Sequence, residues 1–176
     1  MLHARARCWL FGLLLVCGPL VQAQTQTQTK VSESQLRAGV VIGVLRFTSW
    51  SAPVATGILN ICSLGETPGF KELAQSRSKI AIADKELIFK PLDNIGANDG
   101  CAAVIVGANV DKKKLATLKQ LSVLSICDTC DQPDQHAVAL FMNNQRIRFF
   151  VDRTLEKHAG VQFSAAMLEL AAEVKP

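Results

Sequence analysis

Glycine and proline are sparse, 17 of 176 residues, which excludes a collagenous or low-complexity chain. Charge is also scarce, 19% against 49% apolar residues, so burial offsets chain entropy and disorder is disfavoured. The basic surplus is slight. Formal net charge is +4, and Arg5 and Arg7, in a first segment (1–23) without acids, leave +2 for the remainder. That gives no support for the concentrated basic face that nucleic acid requires. No Gly-x-Gly-x-x-Gly follows a candidate strand and no Gly-x-x-x-x-Gly-Lys-Ser/Thr occurs, so no phosphate cradle is recognisable. No apolar run reaches the roughly 20 residues of a membrane-spanning helix.

What is present begins with an address. His3, Arg5 and Arg7 form a basic start, Trp9 to Val16 an apolar core, and Val21-Gln22-Ala23 a small-residue cleavage site. Residues 1–23 are therefore predicted to be a secretory signal. The core is about half the length of a retained anchor, and the bulky Val16 before Cys17 argues against a lipoprotein box. Residues 24–30 form a flexible polar spacer, and 31–176 one domain.

Cys8 and Cys17 leave with the signal, so Cys62, Cys101, Cys127 and Cys130 remain. In an oxidising compartment an even count implies two disulfides, with three connectivities open. Cys62 ends one apolar run and Cys101 precedes another, so their strands could be neighbours. A bridge closing that roughly 40-residue loop contributes about 4 kcal/mol, and one closing Cys127–Cys130 about 2 kcal/mol.

Ser32-Glu33-Ser34-Gln35 fits a capping box ahead of a helix with Leu36, Val40, Val44 and Phe47 as its buried stripe, interrupted by Arg37 and Arg46. Gly39 and Gly43, four apart, imply close approach to a sheet or helix. Trp50 ends the segment before Ser51-Ala52-Pro53. Strands are predicted at 57–63, 86–91, 102–107 and 122–126, with short helices near 70–75 and over 111–120. The 137–142 and 146–151 runs flank Asn143-Asn144-Gln145 as a hairpin. Residues 152–159 and 164–174 read as helices, the second with Ala166, Leu170 and Val174 in phase. The fold class is α/β, a single-domain sandwich with a mixed, partly parallel sheet flanked by helices and a C-terminal antiparallel hairpin.

Candidate chemistry is thin. His136 falls in a polar loop, and His158, near a helix C-terminus, complements the macrodipole. Glu169 and Glu173, at i and i+4, read as a solvated face. Cys127-Asp128-Thr129-Cys130 is the one sharp local motif. A redox dithiol needs its first cysteine at a helix N-terminus, whereas a strand follows here, and Asp128, Asp131 and Asp134 would raise a thiol pKa. A zinc site of Cys127, Cys130 and His136 lacks a fourth ligand. The loop disulfide is the favoured reading, with a thiol–disulfide oxidoreductase as the alternative function. No catalytic residue, metal or cofactor is assigned.

Several segments taken together resemble the YfiR family over residues 31–176. They are Leu45-Arg46-Phe47-Thr48-Ser49-Trp50, Leu59 to Gly65, Gly100 to Gly107, Asn143-Asn144-Gln145-Arg146-Ile147-Arg148-Phe149, and Val151 to Ala171. The resemblance implies a periplasmic repressor of a YfiN-like membrane diguanylate cyclase, acting on its periplasmic part and lowering cyclic di-GMP and biofilm formation. It also implies relief by a YfiB-like outer-membrane lipoprotein, a homodimer, and a disulfide like Cys62–Cys101. Redox sensitivity does not carry over to Cys127 and Cys130, whose spacing departs from the family pattern. Partner contact would fall near Arg46 and Trp50 or on the hairpin around Arg146 and Arg148, although core packing is the ordinary role for Phe47 and Trp50. A small-molecule sensor whose pocket tunes repression is a further possibility.

Overall fold

The first helix, α1 (Glu33–Arg46), starts where the capping box places it. Ser32 Oγ accepts from the Gln35 amide at 3.2 Å, and Gln35 Oε1 accepts from the Ser32 amide at 3.0 Å. The structure, a computed structural model, describes residues 30–50, 57–76 and 79–176. The predicted signal, spacer residues 24–29 and Ser51-Ala52-Pro53 lie outside them.

The buried face of α1 differs from the predicted stripe. Arg37, Ala38, Val41, Val44 and Leu45 are buried, Leu36 and Val40 only partly so, and Phe47 is 41% exposed. Apolar residues run almost around this helix, so periodicity could not choose the face. The deciding residue is Arg37, an apparent interruption that points inward. Nor do Gly39 and Gly43 serve close packing, because a Cβ at either would meet nothing within 4 Å.

After α1 come β1 (Thr48–Trp50), β2 (Ile58–Leu64), α2 (Pro68–Ala74), β3 (Ala81–Ile82), β4 (Lys85–Pro91), β5 (Ala103–Val106), α3 (Lys112–Gln120) and β6 (Leu124–Cys127). The hairpin follows as β7 (Val138–Asn143) and β8 (Arg146–Asp152), then α4 (Arg153–His158), β9 (Val161–Phe163), α5 (Ala165–Leu170) and β10 (Glu173–Lys175). The main sheet has the order β10-β8-β7-β6-β5-β2-β4-β3; β4 through β7 run parallel, and β3, β8 and β10 complete a mixed sheet. β1 and β9 form a separate antiparallel ribbon. The partly parallel α/β sandwich expected from sequence is the observed class. At the hairpin tip Asn144 and Gln145 both have positive φ, 47° and 62°, as a two-residue turn matched to strand twist requires.

Alternation along the central strands builds two cores. Leu59, Ile61, Ala103, Ile105, Leu124 and Ile126 face α1 and α2, whereas Cys62, Leu64, Val104 and Val106 meet Leu115 and Leu118 of α3. The C-terminus departs from expectation. α5 stops at Leu170, and Glu173–Lys175 pairs with β8 instead. Leu170 and Val174 are therefore exposed, Met167 is the buried residue of α5, and Glu169 and Glu173 share no helix. An accessible strand edge on β8 outcompeted a helical phase that buries little.

Connections from β2 and β5 leave in opposite directions, which makes the C-terminal ends of these strands the topological switch point where parallel sheets usually hold ligands. Here main chain fills that crevice. The Glu66 amide donates to Ala108 O at 3.1 Å, and the Ala108 amide to Glu66 O at 3.2 Å. A Cβ on Gly107 would overlap the Glu66 carbonyl, and one on Gly65, whose φ is +73°, would overlap Ala108 O. Two substitutions separate packing from propensity. In urea unfolding, Gly107→Ala should lose about 3 kcal/mol or more, whereas Gly39→Ala, in open space on a helix, should gain about 0.5–1 kcal/mol.

Candidate interaction surface

Cys127 and Cys130 are bonded to each other with Cα atoms 5.4 Å apart, and Cys62 and Cys101 are bonded across β2 and the start of β5 with Cα atoms 5.8 Å apart. β6 ends at Cys127, so the loop opens at a strand end and not at a helix N-terminus. Cys127 is 2% exposed. With both sulfurs bonded, no thiolate remains for zinc, and His136 does not join them.

Between the cysteines, Asp128 is fully buried and gathers two helices. Its Oδ2 accepts the Gly69 amide at the start of α2 at 2.8 Å. Arg37 of α1 reaches its Oδ1 at 3.3 Å and also donates to the Asp128 carbonyl. Arg37 Nε in turn donates to Glu33 at 2.8 Å. Desolvation pushes the Asp128 carboxyl above the usual aspartate range, against the pull of the Gly69 amide and then of Arg37. Thr129 donates to Glu66 O at 2.8 Å and accepts the Ala108 amide at 3.3 Å. The Asp-Thr pair thus ties α1, α2 and both switch-point loops to the end of β6. The sequence signal for this cluster was an arginine within an apolar stripe.

The partner-contact candidates fall in two places. Arg46 and Phe47 are exposed at the end of α1. Trp50 packs partly against the main core, with its indole N–H buried and unpaired. On the hairpin, Arg146 and Arg148 are exposed, and pairing places Phe141 opposite Arg148 on one face of the sheet. Phe141 and Phe150 stack there with centroids 4.3 Å apart, an aromatic pair that sequence reading missed. None of Arg46, Arg146 and Arg148 makes an ion pair among the described residues.

The DUF4154 (YfiR/HmsC-like) family model matches residues 34–172. The chain belongs to the YfiR/HmsC-like family. No curated protein matches it. The YfiR/HmsC-like match runs from the second residue of α1 past the end of α5, and so includes Arg37, Gly69 and Asp128, both disulfides and the hairpin. Membership places the chain in a regulatory, cyclic di-GMP-related family.

His136 corrects the reading of a polar loop residue. It is 3% exposed, neither ring nitrogen has a partner, and burial followed by nearby Lys119 pushes its pKa down to about 4 from 6.5. Its polar sequence neighbours gave no sign of burial. The unfolded chain binds the proton more readily, so this residue's contribution is retained above about pH 6.5 and lost as pH falls toward 4. Between pH 7 and 4 His136 should remove up to about 3 kcal/mol of stability, and His136→Leu should flatten that part of the profile. In the Asp128 cluster, Asp128→Ala should cost about 3–5 kcal/mol by stranding Arg37. A joint apolar replacement of Arg37 and Asp128 should cost less than the sum of the single changes, measured by denaturant unfolding.

Proposed function

We propose that the chain is exported to the periplasm and acts as a regulatory binding protein. It represses a YfiN-like membrane diguanylate cyclase through the cyclase's periplasmic part, and so lowers cyclic di-GMP and biofilm formation. A YfiB-like outer-membrane lipoprotein relieves the repression by sequestering the regulator, which acts as a homodimer. The observation carrying this reading is the YfiR/HmsC-like match over residues 34–172. The physical mechanism is differential binding. A regulator that prefers the inactive sensor by about 1–3 kcal/mol changes the active population 5- to 150-fold.

The β7–β8 hairpin is the preferred contact surface. Stacked Phe141 and Phe150 beside Arg148 and Arg146 combine apolar area with exposed cations that form no ion pair among the described residues, the residue types enriched at interface centres. Nothing in the cysteine loop favours the thiol–disulfide alternative, because Cys127 is buried and lies at a strand end.

Deleting the gene should raise cyclic di-GMP and biofilm, and the wild-type gene should restore both. Arg146→Glu with Arg148→Glu should fail to restore them while its melting temperature stays within a few degrees of wild type, since exposed substitutions cost little stability. Unchanged cyclic di-GMP after deletion, in a cell that carries a YfiN-like cyclase, contradicts the proposal.

A further inference from the structure

The sheet face that carries α3 is covered unevenly. α3 lies over β2 and β5, and beyond it, toward β6 and α4, a cavity of about 400 Å³ opens. That volume is within the range of small-molecule sites. Its walls are mainly apolar, with Leu115, Leu118 and Leu121 on one side and Leu155 of α4 on the other. Four polar groups in the lining are already engaged, one of them Thr154, whose Oγ1 donates to Pro176 O at 3.1 Å. Ser125 Oγ accepts the Ala137 amide at 3.2 Å, His158 Nε2 lies 3.1 Å from Lys119 O, and Asp134 is paired with Lys175 at 2.6 Å. Lys119 and Gln135 also line the cavity but are exposed and half-exposed, so His136 is the buried exception. Its ring lines the cavity, it is 3% exposed, and both nitrogens are buried without a partner. A buried polar group left unpaired is costly, and such groups in native proteins usually mark a missing partner.

We infer that this cavity is a binding site for a small, uncharged, largely hydrocarbon molecule carrying one hydroxyl, with the hydroxyl paired to the His136 imidazole. The apolar walls supply affinity by burial. A neutral imidazole offers one donor and one acceptor, and a hydroxyl can meet either. The low pKa of His136 keeps the ring neutral at physiological pH and agrees with an uncharged ligand. A carboxylate or ammonium would be desolvated among leucines without a buried counter-ion, which disfavours charged ligands. Lys119 is exposed, where water screens it. The cavity sits at the root of the β7–β8 hairpin, since His136 leads into β7 and Leu155 follows β8. The assignment of a ligand site does not depend on what the hairpin binds.

Three probes of similar size test the assignment: p-cresol, toluene as its isostere without a hydroxyl, and benzoate as an anion. Binding to the exported chain is measured by calorimetry, with imidazole resonances followed by NMR on ¹⁵N-histidine-labelled protein. The expected result is saturable p-cresol binding about tenfold tighter than toluene, the worth of one good hydrogen bond, with the His136 ring resonances shifting. His136→Leu should bring p-cresol to within about threefold of toluene, the difference left once that bond is gone, and Leu118→Trp, which narrows the cavity, should weaken both. The wild-type NMR shift keeps the test decisive where a variant fails to fold. The inference is overturned by the absence of p-cresol binding at millimolar concentration, by binding that leaves His136 unmoved, by a preference that survives His136→Leu, or by benzoate binding more tightly than p-cresol.

Discussion

One desolvated carboxylate organises this molecule. Asp128, sealed at the end of β6, satisfies the first amide of α2 and the guanidinium of α1 together. A buried carboxylate with a single partner would be a liability, but with a backbone donor and an arginine it fixes geometry. The flanking disulfide closes the loop around it, and Gly69, whose Cβ would lie 3.2 Å from Asp128 Oδ2, leaves room for the approach. Thr129, the next residue, extends the fixation to the loops after β2 and β5. The cysteine pair thus serves a buried salt bridge, with Cys127 buried and Cys130 partly so.

The same cluster affects where function can reside. In a parallel sheet the loops at the switch point normally cradle a ligand. Here those loops hydrogen-bond to each other and are held down by Thr129, so main chain occupies the space. Room for recognition remains on the outer surfaces and in side cavities such as the one near α4. A rigid framework that presents a hairpin suits a regulator, because binding preference for one state of a partner requires a surface that does not itself yield.

Much of the fold was legible in the sequence because local signals and global packing agreed. The capping box set the start of α1, apolar runs marked β2 and the doubly covered strand β5, and Asn143-Asn144-Gln145 marked the hairpin tip. What was missed has a common physical cause. Arg37 read as a break in a stripe because its partner lies 91 residues away, and no local pattern reports a buried ion pair of that range. β1, β9 and β10 are only three residues each and take their strand identity from pairing, which overrode the helical phase at 164–174. His136 is buried by the convergence of α3, β6 and α4, while its sequence neighbours are polar. The hairpin arginines could be named from sequence, but the Phe141–Phe150 stack beside them needed the strand register.

The most direct test of the regulatory account is a calorimetric titration of the purified chain with the periplasmic segment of a YfiN-like diguanylate cyclase from the same cell. The account expects saturable binding that weakens as salt rises, since unpaired arginines contribute to the contact. Two folded proteins that show no association at any ionic strength would contradict it.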